Sequence, residues 1–90
     1  MTPIFTNTFL RDYQRLPPRI QQRFDKALRL LLTDVRHPSL RAKKMEGMRD
    51  PEGRDIWEAR VTQAFRFTFV MEGETCLLRH IGPHDMLRRP

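Results

Sequence analysis

The sequence is poor in cysteine and contains no long apolar run. Cys76 is the one cysteine among 90 residues, so no internal disulfide can form, whereas secreted domains of this size usually need several. No stretch approaches the roughly 18 apolar residues of a membrane-spanning helix, and the first residues lack the basic and apolar regions of a signal peptide. We therefore expect a cytoplasmic protein without a membrane partner.

The signature motifs of several enzyme classes are also missing. The chain has no glycine-rich phosphate loop, no dinucleotide-binding glycine pattern, no nucleophile elbow and no paired Cys-x2-Cys, so ATP, dinucleotide and serine-hydrolase chemistries have no support. Cys76, His80 and His84 have a spacing that suggests zinc. In a strand, however, Cys76 and His80 would lie about 13 Å apart, too far to share a metal ion. We predict neither a metal nor a cofactor.

Positive charge is what the chain has in excess. Lysine and arginine number 17 against 11 acidic residues, which gives a net charge of +6. A polyanion such as nucleic acid is the expected partner, although a basic surface also keeps small proteins soluble. A chain of 90 residues has room for one core, so we predict a single domain over residues 1–90.

Helical spacing dominates the first half. A short extended segment at residues 3–5 precedes a helix at 9–16, which must end at Pro17-Pro18 because the residue before a proline avoids the α-helical region. A second, amphipathic helix of about four or five turns then runs from Pro18 to Val35. The two helices should form an αα-hairpin.

The second half has the period of two that is typical of strands. A polar strand near a sheet edge is predicted at residues 40–46, a loop at 47–54, and further strands at 56–62, 65–71 and 76–81. The order of elements predicts an α+β fold. In this fold, an N-terminal strand and the αα-hairpin pack on a mainly antiparallel sheet of four or five strands.

Alternation along the two central strands separates an apolar face from a polar one. Trp57 and Phe67 should meet Phe24 and Leu28 of the second helix in one core. The opposite face should then be an open, charged surface formed by four side chains: Glu58, Arg60, Arg66 and Thr68. Because Arg66 is expected to be exposed there, its removal should leave the stability of the fold nearly intact.

A carboxylate beside guanidinium groups suits the cleavage of RNA. Glu58 could take the proton of a 2′-hydroxyl, and Arg60 and Arg66 could stabilise the pentacoordinate phosphorane. The alternative is a Glu58–Arg66 salt bridge that only solvates the sheet. The residues alone leave both interpretations open.

The last strand leads into a segment that contains histidine. His84 follows Gly82-Pro83, where the strand must end, so its side chain should be partly exposed. A histidine there could be the general acid for the leaving 5′-oxygen, although a single surface histidine is more often simply polar surface. The apolar pattern of the strand does not fix which face carries Arg79 and which carries His80.

Further cations are candidates for contacts with RNA phosphates. They are Arg41, Lys43, Lys44, Arg49 and Arg79, with Arg88 and Arg89 at the C-terminal end. Lysines on an edge strand also serve to prevent the addition of another strand. For Lys43 and Lys44 the two interpretations carry equal weight.

Five segments, taken in order, resemble the RelE/ParE superfamily of bacterial toxin-antitoxin toxins over nearly the whole chain. They are Leu16-Pro17-Pro18, Ala42-Lys43-Lys44-Met45-Glu46-Gly47, Asp55-Ile56-Trp57-Glu58-Ala59-Arg60-Val61, Phe65-Arg66-Phe67-Thr68-Phe69 and Ile81-Gly82-Pro83-His84-Asp85-Met86-Leu87. The closing segment looks like that of YafQ-type members. The resemblance implies a toxin that cuts messenger RNA on the ribosome without metal, represses translation, and is neutralised by a cognate antitoxin.

Carried over residue by residue, the resemblance assigns four catalytic positions. His84 takes the position of the C-terminal catalytic histidine, Arg66 that of the transition-state arginine, Glu58 that of the base and Arg60 that of a second cation. No tyrosine follows His84, and the strand histidine and aspartate of YafQ-like members have no clear counterparts. The same fold also hosts ParE-like inhibitors of DNA gyrase, so the alternative is a gyrase inhibitor or a degenerate module that only binds its antitoxin.

Overall fold

The computed structural model describes residues 1–86, except for the side chain of Met86. The elements are β1 (Thr2–Phe5), α1 (Asn7–Gln14), α2 (Pro18–Thr33), β2 (Lys43–Arg49), β3 (Asp55–Arg60), β4 (Phe65–Glu72) and β5 (Thr75–Pro83), with short 3₁₀ turns at Pro38–Leu40 and His84–Met86. The strands form one sheet in the order β1-β5-β4-β3-β2. β1 runs parallel to β5 and all other neighbours are antiparallel. The predicted α+β architecture is confirmed.

A side-chain cap, a proline and an aspartate turn explain the start of α1 and the start and end of α2. The Thr6 hydroxyl accepts from the Phe9 N–H at 3.1 Å and so caps α1. Pro18 occupies the first turn of α2, as expected. The prediction that α2 includes Val35 is wrong, because the Asp34 carboxylate accepts from the Arg36 N–H at 3.1 Å and forms a turn that competes with the helix.

The strand β2 is displaced towards the C-terminus from its predicted position at residues 40–46. Leu40 is buried in the preceding 3₁₀ turn, and Arg41 has a left-handed backbone with φ of 46°, so extension starts only at Lys43. The predicted loop at 47–54 is correspondingly too long. Gly47, with φ of 72°, lies in a register irregularity between Lys44 and Arg49, and the strand continues past it.

The core lies between the αα-hairpin and one face of the sheet. Phe24 of α2 packs edge-on against Phe67 of β4 with ring centroids 5.1 Å apart, and Phe67 is fully buried. Leu28 and Trp57 pack against this core but are only partly buried. Trp57 therefore lies on the predicted face, at its margin, where it stacks on Phe69 at 6.4 Å.

Each edge of the sheet is protected in its own way. β1 pairs with only the first part of β5, and α1 covers the rest, where the Asp12 carboxylate accepts from the Ile81 N–H at 3.3 Å. At the other edge, β2 carries exposed lysines, as expected for an edge strand. Within residues 1–86, no helix is long and apolar enough to cross a membrane.

Candidate nucleic-acid interface

The face of the sheet turned away from the helices carries two rows of polar side chains. Glu58, Thr68 and His80 are direct neighbours across β3, β4 and β5, and in the next row Arg60 lies opposite Arg66. This register also settles which face His80 occupies. It shares the face of Glu58, whereas Arg79 lies in the irregularity that separates His80 from Leu78.

The centre of this face is a buried ion pair and not the open charged surface that alternation predicted. The Arg66 Nη1 donates to the Glu58 Oε1 at 3.1 Å, and the two side chains are only 15 % and 6 % exposed. The salt bridge that the alternative interpretation of the sequence predicted is therefore present. It is buried, however, and not a solvated pair on the surface of the sheet. The expected exposure of Arg66 is therefore wrong, and because two desolvated charges stabilise the fold only as a pair, we now expect its removal to lower stability.

Arg60 forms a cationic cluster with Arg41 and Arg66. Burial lowers the pKa of Arg60 from its usual value, and repulsion by Arg41 and Arg66 lowers it further. The Nε atoms of Arg60 and Arg66 are both buried without a hydrogen-bond acceptor among the described residues. Three guanidinium groups thus gather beside one carboxylate, and a phosphate at this place would relieve both the repulsion and the missing acceptors.

His84 lies at the end of the sheet but outside this cluster. It begins the second 3₁₀ turn and is exposed. Its backbone N–H donates to the Ala64 carbonyl at 2.8 Å, which fixes it beside the turn between β3 and β4. Within residues 1–86 its side chain makes no ion pair with Glu58. A substrate would have to bridge the two.

The cations proposed for RNA binding do not all lie on one face. Lys43 is exposed and directly opposite Glu58 across the β2–β3 ladder. Lys44 lies on the face towards the helices, with its Nζ 3.3 Å from Asp55 and 5.9 Å from the centre of the Trp57 ring. Arg79 is half-buried in β5, and Arg49 lies 3.8 Å from Asp55. Leu87, Arg88 and Arg89 lie outside the described residues.

A second histidine site emerges that sequence reasoning did not identify. The His80 Nδ1 lies 3.5 Å from the Asp12 Oδ2, and both side chains are partly exposed at 29 % and 25 %. A carboxylate at Nδ1 fixes the orientation of the imidazole and leaves Nε2 for other contacts. The pattern could not place His80, because the irregularity at Arg79 shifts the alternation, and nothing in the local sequence connects α1 to β5.

The suggested zinc ligands do not converge. Cys76 is fully buried on the helix side of β5, where burial raises the pKa of its thiol to about 11, whereas His80 lies on the opposite face. In the part of the chain that the structure describes, no three His, Cys, Asp or Glu side chains are grouped closely enough to hold a metal ion.

No protein-family model matches the chain, and no curated protein sequence matches it. Solved structures do resemble it over nearly its full length. The RelB–RelE antitoxin–toxin complex from Methanococcus jannaschii is similar with 18 % identity, a TM-score of 0.72 and 93 % coverage of both chains. The YoeB/ParE toxin from Agrobacterium tumefaciens is similar with 18 % identity, a TM-score of 0.75 and coverage of 93 % of this chain and 99 % of that one. The Escherichia coli DinJ–YafQ complex is similar with 11 % identity, a TM-score of 0.76 and coverage of 96 % and 94 %. The chain therefore has the fold of the RelE/ParE toxins.

Proposed function

We propose that this protein is the toxin of a type II toxin-antitoxin system, and that it represses translation in the cytoplasm by cleaving messenger RNA on the ribosome without a metal ion. The observation that carries the proposal is the cluster of Arg41, Arg60 and Arg66 beside Glu58, which gathers more positive charge than the protein itself neutralises. Similar folds have been solved as complexes with the antitoxins RelB and DinJ. We accordingly propose a cognate antitoxin as the protein partner.

Cleavage would proceed by attack of the 2′-oxygen on the adjacent phosphorus. The scissile phosphate binds Arg66 and Arg60, and it competes with Glu58 for the Arg66 guanidinium. Glu58, released from its 3.1 Å contact with Arg66, accepts the 2′-hydroxyl proton as the new bond from the 2′-oxygen to phosphorus forms. The bond from phosphorus to the 5′-oxygen breaks, and a histidine protonates that oxygen. The products are a 2′,3′-cyclic phosphate and a 5′-hydroxyl.

Two histidines compete for the role of general acid. The family resemblance favours His84, which is exposed at the end of the sheet. Position in the sheet favours His80, because it lies in the same row as Glu58 and Asp12 contacts its Nδ1. We retain His84 as the proposed acid, with His80 as the residue against which it has to be tested.

One observation favours the alternative of a protein that binds without catalysis. Glu58 and Arg66 already neutralise one another in a buried pair, and a gyrase inhibitor of the ParE type or a module that only binds its antitoxin would need no free base. In such a protein the pair would simply stabilise the sheet.

Mapping the 5′ ends of cellular messenger RNA after induction of the protein separates these functions. For the ribonuclease we expect new 5′-hydroxyl ends within coding regions, which disappear in the Glu58→Gln variant. Induction of the DNA-damage response without new RNA ends would support the gyrase inhibitor. The absence of both effects would support a module that only binds its antitoxin.

A further inference from the structure

A basic groove runs along one side of α2, next to the cluster of three arginines. Arg19, Arg23 and Lys26 occupy positions i, i+4 and i+7 of the helix, so their side chains lie on one face. All three are exposed. Within residues 1–86 none of the three forms an ion pair with an acidic side chain.

The groove consists of two cavities that share Arg23 in their lining. The first, of about 340 Å³, lies between α2 and the end of β3 and is lined by Arg23, Lys26 and Arg60 together with the hydroxyl-bearing Ser39. The second, of about 240 Å³, lies between α2 and the β3–β4 turn and is lined by Arg19, Arg23, Ile20, Thr62, Ala64 and Phe65. No Asp or Glu of the described residues lines either part.

The position of Arg60 connects the groove to the candidate site. Arg60 lines the first part of the groove, and its buried Nε has no acceptor within residues 1–86. The second part of the groove is lined by Ala64, whose carbonyl accepts from the His84 N–H. The groove therefore begins where the proposed reaction takes place.

We propose that this groove binds the phosphodiester backbone of single-stranded RNA on one side of the bond to be cut. This proposal rests on the proposed function, which identifies the ligand as RNA. It adds the path that the RNA follows on the protein. Repeated cations without counter-ions along a helix suit a chain of regularly spaced phosphates. An acidic protein segment would find the same charges and could also contact the apolar part of the lining, so binding of an acidic peptide is measured as a separate arm of the test.

The test is the salt dependence of binding to a short single-stranded RNA whose 2′-hydroxyls are all methylated, so that cleavage cannot occur. The Arg19→Gln/Arg23→Gln/Lys26→Gln variant should weaken binding. It should also reduce the slope of log Kobs against log salt by about 0.7 for each cation removed, or about 2 in total. Arg29→Gln is the matched control, because Arg29 is an exposed arginine of the same helix that lines neither part of the groove.

A triple variant with the affinity and salt slope of Arg29→Gln would overturn the proposal. So would a triple variant that binds RNA normally but no longer binds an acidic peptide, because the groove would then belong to a protein partner. The melting midpoint should match that of the control, since all three side chains are exposed. The RNA used here cannot be cleaved, so loss of the ribonuclease function and loss of this binding site are separate results.

Discussion

At the scale of single residues, the buried Glu58–Arg66 pair ties chemistry to stability. Each charge lies in a poorly hydrated place and is compensated mainly by the other. Substitutions there change both the reaction and the fold, and loss of activity in a single variant does not identify a catalytic role. Paired substitutions are needed to separate the two effects.

Arg66→Ala should destabilise the protein by about 3–5 kcal/mol, because it leaves the Glu58 carboxylate buried without its partner. The double variant Glu58→Leu/Arg66→Met removes both charges at similar volume and should recover most of that loss. It should nevertheless fail to cleave RNA. Urea unfolding and an RNA cleavage assay measure the two effects. Equal unfolding midpoints for wild type and Arg66→Ala would show that the pair is not coupled to the fold.

His84→Gln should slow cleavage by about 10²–10⁴ while leaving RNA binding largely intact, because glutamine keeps a hydrogen-bond donor but cannot supply a proton. His80→Gln is the parallel measurement. If His84→Gln cleaves at the wild-type rate and His80→Gln does not, the acid is His80. Asp12→Asn should then slow cleavage as well, since Asp12 orients that ring.

At the scale of elements, the β2–β3 turn is held by Asp50. This carboxylate accepts from the Arg54 N–H at 2.8 Å and from the Arg54 Nε at 2.7 Å, and Arg54 also contacts Glu72 of β4 at 2.8 Å. Burial alone would raise the pKa of Asp50, but the hydrogen bonds and charge of Arg54 outweigh it and hold the pKa below its ordinary value of 3.8.

A depressed pKa in the folded state means that the charged form of Asp50 stabilises the protein. That contribution is complete above the ordinary pKa of 3.8, and it is lost as pH falls from there through the lower pKa of the folded state. Wild type should therefore lose stability over this range more steeply than Asp50→Asn. Melting midpoints measured at pH values across this acid range test the difference. Parallel profiles for the two proteins would contradict it.

The elements also show how far the sequence can be interpreted. The αα-hairpin and the central strands were predictable, because Pro17-Pro18 and the apolar spacing of α2 are strong local signals. The limits of β2 were not predictable from the sequence. The strand starts after the left-handed Arg41 and continues past the irregularity at Gly47, and neither feature has a clear local signal. The alternation rule assigned the face of Glu58 correctly, but it could not show that this face is buried.

At the scale of the whole molecule, the two faces of the sheet differ in their central side chains. The helices cover one face over the aromatic rings of Phe67 and Phe69, and the other face holds the Glu58–Arg66 pair with Arg60 beside the buried Ile56 and Val70. His80 and Asp12 come together only because α1 packs along the edge of β5, a tertiary contact with no local signal. The candidate site was therefore only partly visible in the sequence.

The stability of the whole molecule should depend on Phe67 more than on Trp57. Phe67 is fully buried, and the centroid of its ring lies 5.1 Å from that of Phe24. Phe67→Ala should therefore cost about 3–5 kcal/mol, a large share of the stability of a small domain. Trp57 is only partly buried and lies beneath the Lys44 ammonium, so Trp57→Ala should cost less. Urea unfolding followed by circular dichroism compares the two variants. If Trp57→Ala lost as much stability as Phe67→Ala, or more, the core would be centred on β3. That result would contradict a core centred between the αα-hairpin and Phe67 of β4.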